Sequence, residues 1–147
     1  MRKITESYEL LKNLNILPPH NIEAERALLG SILLDGQSII KILDLVEPQD
    51  FYRKEHQLIF TAMLKLFEKG NPIDAITVHE ELTNMKCQDE TGGIEYLIDL
   101  IDTVATSAHI VQYAKSVRDK AILRKLINTA TEIIAKCYNT EVEDVED

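Results

Sequence analysis

Tryptophan is absent from this sequence, and only three phenylalanines and five tyrosines stand in for it, so aliphatic side chains must fill the core. Strand signals are also missing: no segment sustains the alternation of apolar and polar residues that a half-buried strand requires. The expected fold class is therefore all-α. Cys87 and Cys137 lie fifty residues apart with no CxxC pair, which fits reduced, mostly buried thiols of a reducing compartment. No apolar run reaches membrane-spanning length. The opening MRKITESYELLKNLN has no continuous apolar segment of signal-peptide length. A soluble, cytoplasmic protein with no membrane partner is the expectation. Nor is there an excess of positive charge. The formal net charge of −9 argues against a general grip on a phosphate backbone, which Lys and Arg provide.

What is present is helical. Apolar residues make up 45% of the 147, a globular value, and one compact domain with an appendage is the default at this length. Residues 1–17 read as a leader, flexible or a short helix, with Ile4, Tyr8 and Leu11 at helical spacing. LPPH then breaks any helix. A helical head is expected over 18–106. In NIEAERALLGSILLDG, Asn21 caps the first helix, Glu23 and Glu25 suit its positive end, and Gly36 suits a left-handed stop. Ile22, Leu29 and Leu33 share a face with Leu28 and Ile32 beside it. SIIKILDLV places Ile39, Ile42, Leu43 and Val46 at helical spacing, and Phe51 with Tyr52 anchors the break that follows. KEHQLIFTAMLKLFEKG is a third helix ending at Gly70, with Phe60, Met63, Leu64 and Phe67 on one face and Ile59 and Leu66 widening it. Thr77 and Glu80 fit a capping box for a helix whose buried side is Val78, Leu82 and Met85. IEYLIDLID sets Ile94, Leu97, Ile98 and Ile101 on one face.

From about 107 to 138 the helical signal runs without proline or glycine. Ile110, Ala114, Val117 and Ala121 form its first stripe, and Leu123, Leu126, Ala130, Ile133 and Cys137 continue it, slightly rotated. At the helical rise this rod is roughly 45 Å long, longer than a head of five short helices. The rod must project, and its distal stripe must be covered from outside, with Val117, Leu123, Leu126, Ala130, Ile133 and Cys137 packing in a dimer or hairpin. The acidic end at 139–147 reads as a turn and the truncated start of a second, antiparallel arm.

Catalytic constellations are poor. There is no GxxxxGK[ST] phosphate cradle. HEELT at His79 has Thr83 where a zinc-binding HExxH helix needs its second histidine. His20, His56, His79 and His109 are scattered without ligand spacing and read as surface or half-buried side chains. No nucleophilic triad is spaced out in the chain. No catalytic, metal or nucleotide-binding residue is expected, and a metal-dependent hydrolase using dispersed carboxylates is the enzymatic rival.

Taken in order, PPHNIEAERALLGSILLD, DFYRKEHQLIFTAMLKLFEKGNPID, GGIEYL and YAKSVRDKAILRKLINTAT resemble the N-terminal domain of bacterial replicative DNA helicases of the DnaB type, from about Pro18 to Tyr138. The resemblance implies a helical head followed by a helical hairpin, with pairs of hairpins building a collar on a hexameric ring. It implies primase as a partner, with Tyr96, Ile127 and Ile133 as contact residues, although Tyr96 also fits a role sealing the head and the isoleucines fit simple packing. A helicase loader is a further implied partner. Single-stranded DNA near the collar could meet Lys115, Arg118, Lys120, Arg124 and Lys125, which also fit a solvated basic helix face. ATP and magnesium belong to a C-terminal motor domain that is absent here, so the chain looks like an N-terminal fragment without catalysis of its own. Ala105 stands where the family often carries a proline before the long helix. A free-standing helical adaptor without a motor is the alternative.

Overall fold

The computed structural model describes Glu6, Glu9 and residues 16–139. The leader over 1–17 and the acidic turn at 139–147 fall almost wholly outside the described residues. Among those described there is no strand, and the head is built from helices α1 (Ile22–Leu34), α2 (Lys54–Glu68), α3 (Ala75–Asn84) and α4 (Gly93–Asp102). Two 3-10 turns, Gly36–Ile42 and Pro48–Asp50, join α1 to α2, and helix α5 (Ile110–Asn139) follows the head.

Helix α1 is the centre. Asn21 caps it by accepting the Ala24 N–H at 3.0 Å, as its side chain predicts. Leu28, Leu29 and Ile32 are completely buried because α1 packs against both α4 and α5. The approach to α4 is so close that a Cβ at Gly30 would overlap the carbonyl of Leu100. Only glycine fits that crossing. Gly36 also serves close approach rather than a left-handed stop. Helix α1 ends one residue earlier at extended Asp35, and a Cβ at Gly36 would run into the Ile73 carbonyl. The left-handed stop is real at Gly70, with φ 72° after α2.

Several local expectations shift. The SIIKI half of SIIKILDLV winds as 3-10 helix, whose three-residue repeat stacks Ile39 over Ile42 on the core side, and LDL that follows is a turn. The box at α3 is made by Asp74 and Thr77: the Asp74 carboxylate accepts the Thr77 N–H and the Thr77 hydroxyl accepts the Asp74 N–H, both at 2.9 Å. Thr77 is thus the third residue of its helix rather than the cap, because the chain turns into helix directly after NPI. Helix α2 is rotated toward His56, Ile59, Phe60, Met63 and Leu66, leaving Phe67 at the rim. Helix α4 buries Leu97 and Leu100, while Ile98 faces out, since the residues meeting α1 around Gly30 decide its orientation.

The long helix is the largest departure from a compact bundle. Its 30 residues run about 45 Å at the helical rise. Ile110, Ala114, Val117 and Ala121 are buried against the head. Val117, expected in a dimer or hairpin contact, is 1% exposed inside the head's own core. Leu123, Leu126, Ala130, Ile133 and Cys137 are exposed. The second stripe is not a slight rotation of the first. At about 100° per residue the two lie about half a turn apart, so the distal stripe faces away from the head.

Gly30→Ala tests the α1–α4 crossing. The added methyl must push two backbones apart, and overpacking of this kind costs about 1–3 kcal/mol. Urea denaturation should show a lower midpoint with an unchanged slope, and an unchanged midpoint would contradict the crossing.

Candidate partner interface

Two features of the molecule can address another molecule: the outward stripe of α5, and a polar cluster that rises from the core to Tyr96. The stripe residues Leu123, Leu126, Ala130, Ile133 and Cys137 fall three and four apart, the spacing of a helix seam. Ile127 sits beside them, 50% exposed. The predicted packing set, less Val117, therefore shares one free apolar face.

The polar cluster was not expected. Glu25 and His56 are 1% and 0% exposed, although His56 reads from sequence as a surface or half-buried histidine. The Glu25 carboxylate accepts the Tyr52 N–H at 2.8 Å and His56 Nδ1–H at 2.8 Å, with the Arg53 N–H at 3.5 Å. His56 Nε2 and the Tyr96 hydroxyl are hydrogen-bonded at 2.6 Å. That hydroxyl oxygen in turn accepts from the Arg26 guanidinium at 3.3 Å, whose plane also lies over the Tyr96 ring. Because a carboxylate only accepts, Nδ1 carries a proton. Every buried polar atom of the cluster thus has a partner, which is the condition for a charge to persist in a core. The signal was available in the sequence. Glu25 sits three residues from Ile22 and from Leu28, and His56 three and four residues before Ile59 and Phe60, so an acid and a histidine each interrupt an apolar face.

The basic residues do not form one face. Arg124, half-buried, donates to the carbonyls of Pro19 at 2.8 Å and Asp50 at 2.6 Å, and its guanidinium lies over the Tyr52 ring. It ties the strap before α1 to the long helix and is not a free DNA contact. Lys115 and Lys120 border a shallow depression together with Asp119, which offsets their charge. Arg118, half-buried, and Lys125, exposed, are seven residues apart and so share another side of the helix. Among the described residues no group of three or more His, Cys, Asp or Glu could hold a metal ion, and no helix is long and apolar enough to cross a membrane.

Residues 17–119 match the family described as the DnaB-like helicase N terminal domain. The chain belongs to that family. It is 48% identical over 131 residues to the replicative DNA helicase DnaC of Bacillus subtilis, covering 89% of this chain but 29% of that protein. A crystal structure of the N-terminal domain of DnaB helicase from Mycobacterium tuberculosis superposes with a TM-score of 0.81 at 39% identity, over 83% of this chain and 85% of that one. A DnaB-like replicative helicase, whose structure was described together with its interactions with primase, matches with a TM-score of 0.72 at 28% identity, over 86% of this chain and 29% of that one. The sequence-level resemblance and the all-α assignment with its long final helix therefore hold. The family match ends within α5, so the outward stripe lies beyond its boundary.

Glu25→Ala would leave the His56 Nδ1–H and the Tyr52 N–H in the core without an acceptor, at about 1–3 kcal/mol for each orphaned donor. Thermal and urea unfolding should both report a loss larger than any exposed substitution on α5 produces. The two thiols should also separate. Burial, reinforced by nearby Glu90, pushes the Cys87 thiol pKa up, whereas Cys137 is exposed. A thiol reagent at neutral pH should modify Cys137 quickly and Cys87 only on unfolding.

Proposed function

We propose that this chain is the N-terminal assembly module of a replicative DNA helicase, pairing with further copies through α5 to organise a hexameric collar and docking primase during DNA replication. The observation carrying this reading is the apolar stripe that faces away from the head. Leu123, Leu126, Ile127 and Ile133 are 43–60% exposed. Covering each half-exposed side chain contributes about 1 kcal/mol, enough together to drive association once several are covered at once. Adding Ile127 beside a three-and-four seam widens the face beyond what a single partner helix covers. That suits a bundle of several arms better than a simple two-stranded coil.

Primase docking is assigned to the polar outlet around Tyr96 together with the arm. The solved DnaB-like helicase studied with primase supports this partner class. Nucleoside triphosphate hydrolysis with ATP and magnesium is assigned to a motor domain elsewhere in the parent protein, where a helicase loader and single-stranded DNA would chiefly act. The chain spans less than a third of the Bacillus subtilis relative, in keeping with a module of a larger machine.

Static light scattering across a concentration series tests the pairing. The wild-type chain should gain mass with concentration, and Leu126→Glu with Ile133→Glu should hold it monomeric with unchanged helical circular dichroism. A wild-type chain that stays monomeric throughout would refute self-assembly through this stripe. Titration of the cognate primase against both forms then separates docking from assembly: binding is expected to weaken on Tyr96→Ala, and no measurable binding by any form would refute the primase assignment.

A further inference from the structure

We propose that buried Glu25 is the hub of a relay through which the side chain of Tyr96 on α4 and the setting of the long helix α5 depend on each other. The relay is a property of the chain alone and needs no partner to be tested. It begins at the half-buried Tyr96 hydroxyl, held between Arg26 and His56 Nε2. It passes through the imidazole to one carboxylate oxygen of Glu25, and the other oxygen holds the Tyr52 N–H. The Tyr52 ring is then fixed from outside. His20 stacks on it with ring centroids 4.4 Å apart and 13° between planes, and the Arg124 guanidinium lies 5.5 Å from its centroid. Arg124 is the residue of α5 that hydrogen-bonds back to Pro19 and Asp50, just where the helix leaves the head after buried Ala121.

Saturation is what makes this chain of contacts a coupling device. His56 has no exposure with Tyr96 in place, so a withdrawn hydroxyl leaves Nε2 without the one protein partner it has here. The imidazole and the carboxylate must rearrange together, and the carboxylate cannot move without disturbing the Tyr52 N–H it anchors. Hydrogen-bonded networks in a low-dielectric core respond as units. A molecule that engaged the Tyr96 hydroxyl would draw it from His56 and so bias the root of α5. By reciprocity, a change in arm setting would alter how readily Tyr96 is engaged. A partner contact on the head would thereby be read by the assembly arm.

The test is a distance measurement between head and arm by double electron–electron resonance. Cys87→Ala and Cys137→Ala remove the native thiols, and Asp99→Cys and Glu132→Cys, at exposed positions of α4 and α5, carry spin labels. Dilution into unlabelled chain restricts the signal to distances within one copy. Arg124→Ala should broaden or shift the distribution. Tyr96→Phe, which removes a single oxygen, should alter it in the same direction, and the double variant should go no further than the larger single change. If Arg124→Ala does not fold, Arg124→Lys keeps the charge but cannot span two carbonyls as a fork does. An unchanged distribution in Tyr96→Phe overturns the proposal, as does an additive double variant. So does an equal shift in Leu82→Val, which loosens the head at α3 without touching the relay.

Discussion

An α-helix advances about 1.5 Å and turns about 100° with each residue, and helix α5 holds that register for its full 30 residues. The placement of its two apolar faces follows from this constraint. The head supplies enough neighbours to bury the face of Ile110, Ala114, Val117 and Ala121, and then it ends. The apolar residues resume on the opposite side of the helix, where no bending of an unbroken rod could bring them onto the head. One rod therefore carries two apolar seams, one closing the fold and the other left exposed. The transition between them falls around Arg124, whose two hydrogen bonds to backbone carbonyls fix the rod at the last point where the head can reach it.

The head resolves a different problem. Its core is aliphatic and short of aromatics, which leaves few directional contacts to choose one packing of four short helices over another. The Glu25–His56–Tyr96 cluster supplies direction. It requires α1, α2 and α4 to present particular atoms at hydrogen-bond distance, and any slip of one helix leaves a donor orphaned at a cost of about 1–3 kcal/mol. Gly30 adds a steric condition at the same crossing, since α1 can approach α4 so closely only where no Cβ intervenes. Polar and steric conditions together define one arrangement. A stable head in turn gives α5 a fixed root.

The parts legible in the sequence were those governed by periodicity over many residues. The all-α class, the unbroken terminal helix and its exposed distal residues all followed from apolar spacing and the lack of breakers. Local punctuation was less legible. Gly36 looked like a helix stop and is instead a point of close contact with Ile73. Thr77 looked like a cap and is the third residue after Asp74, because several residue types can cap and only the path of the chain chooses among them. Phe67 and Ile98 matched their stripes yet face outward, since short helices are rotated by whatever they meet. The phase between the two α5 stripes was calculable from residue numbers alone. The buried cluster was harder, because its members come from three helices and converge only in the fold, but a polar residue on each of two apolar faces marked where to look.

A carboxylate, an imidazole and a hydroxyl in line invite comparison with nucleophilic catalysis, and the geometry argues against it. In such a site the imidazole takes a proton from a hydroxyl that lies open to substrate. Here the hydroxyl is a phenol, its oxygen already accepts from Arg26, and the imidazole beneath it has no exposure at all. No reacting atom could be placed against Nε2 without first removing Tyr96. What remains accessible is part of the half-buried Tyr96 side chain, with a guanidinium over its ring and held in one orientation from below. A rigid aromatic side chain with few internal rotations loses little entropy on being covered, which is why tyrosine and arginine dominate protein contacts. The buried acid and histidine therefore act on Tyr96 as a mount, converting a core hydrogen-bond array into a surface shape suited to recognition rather than bond-making.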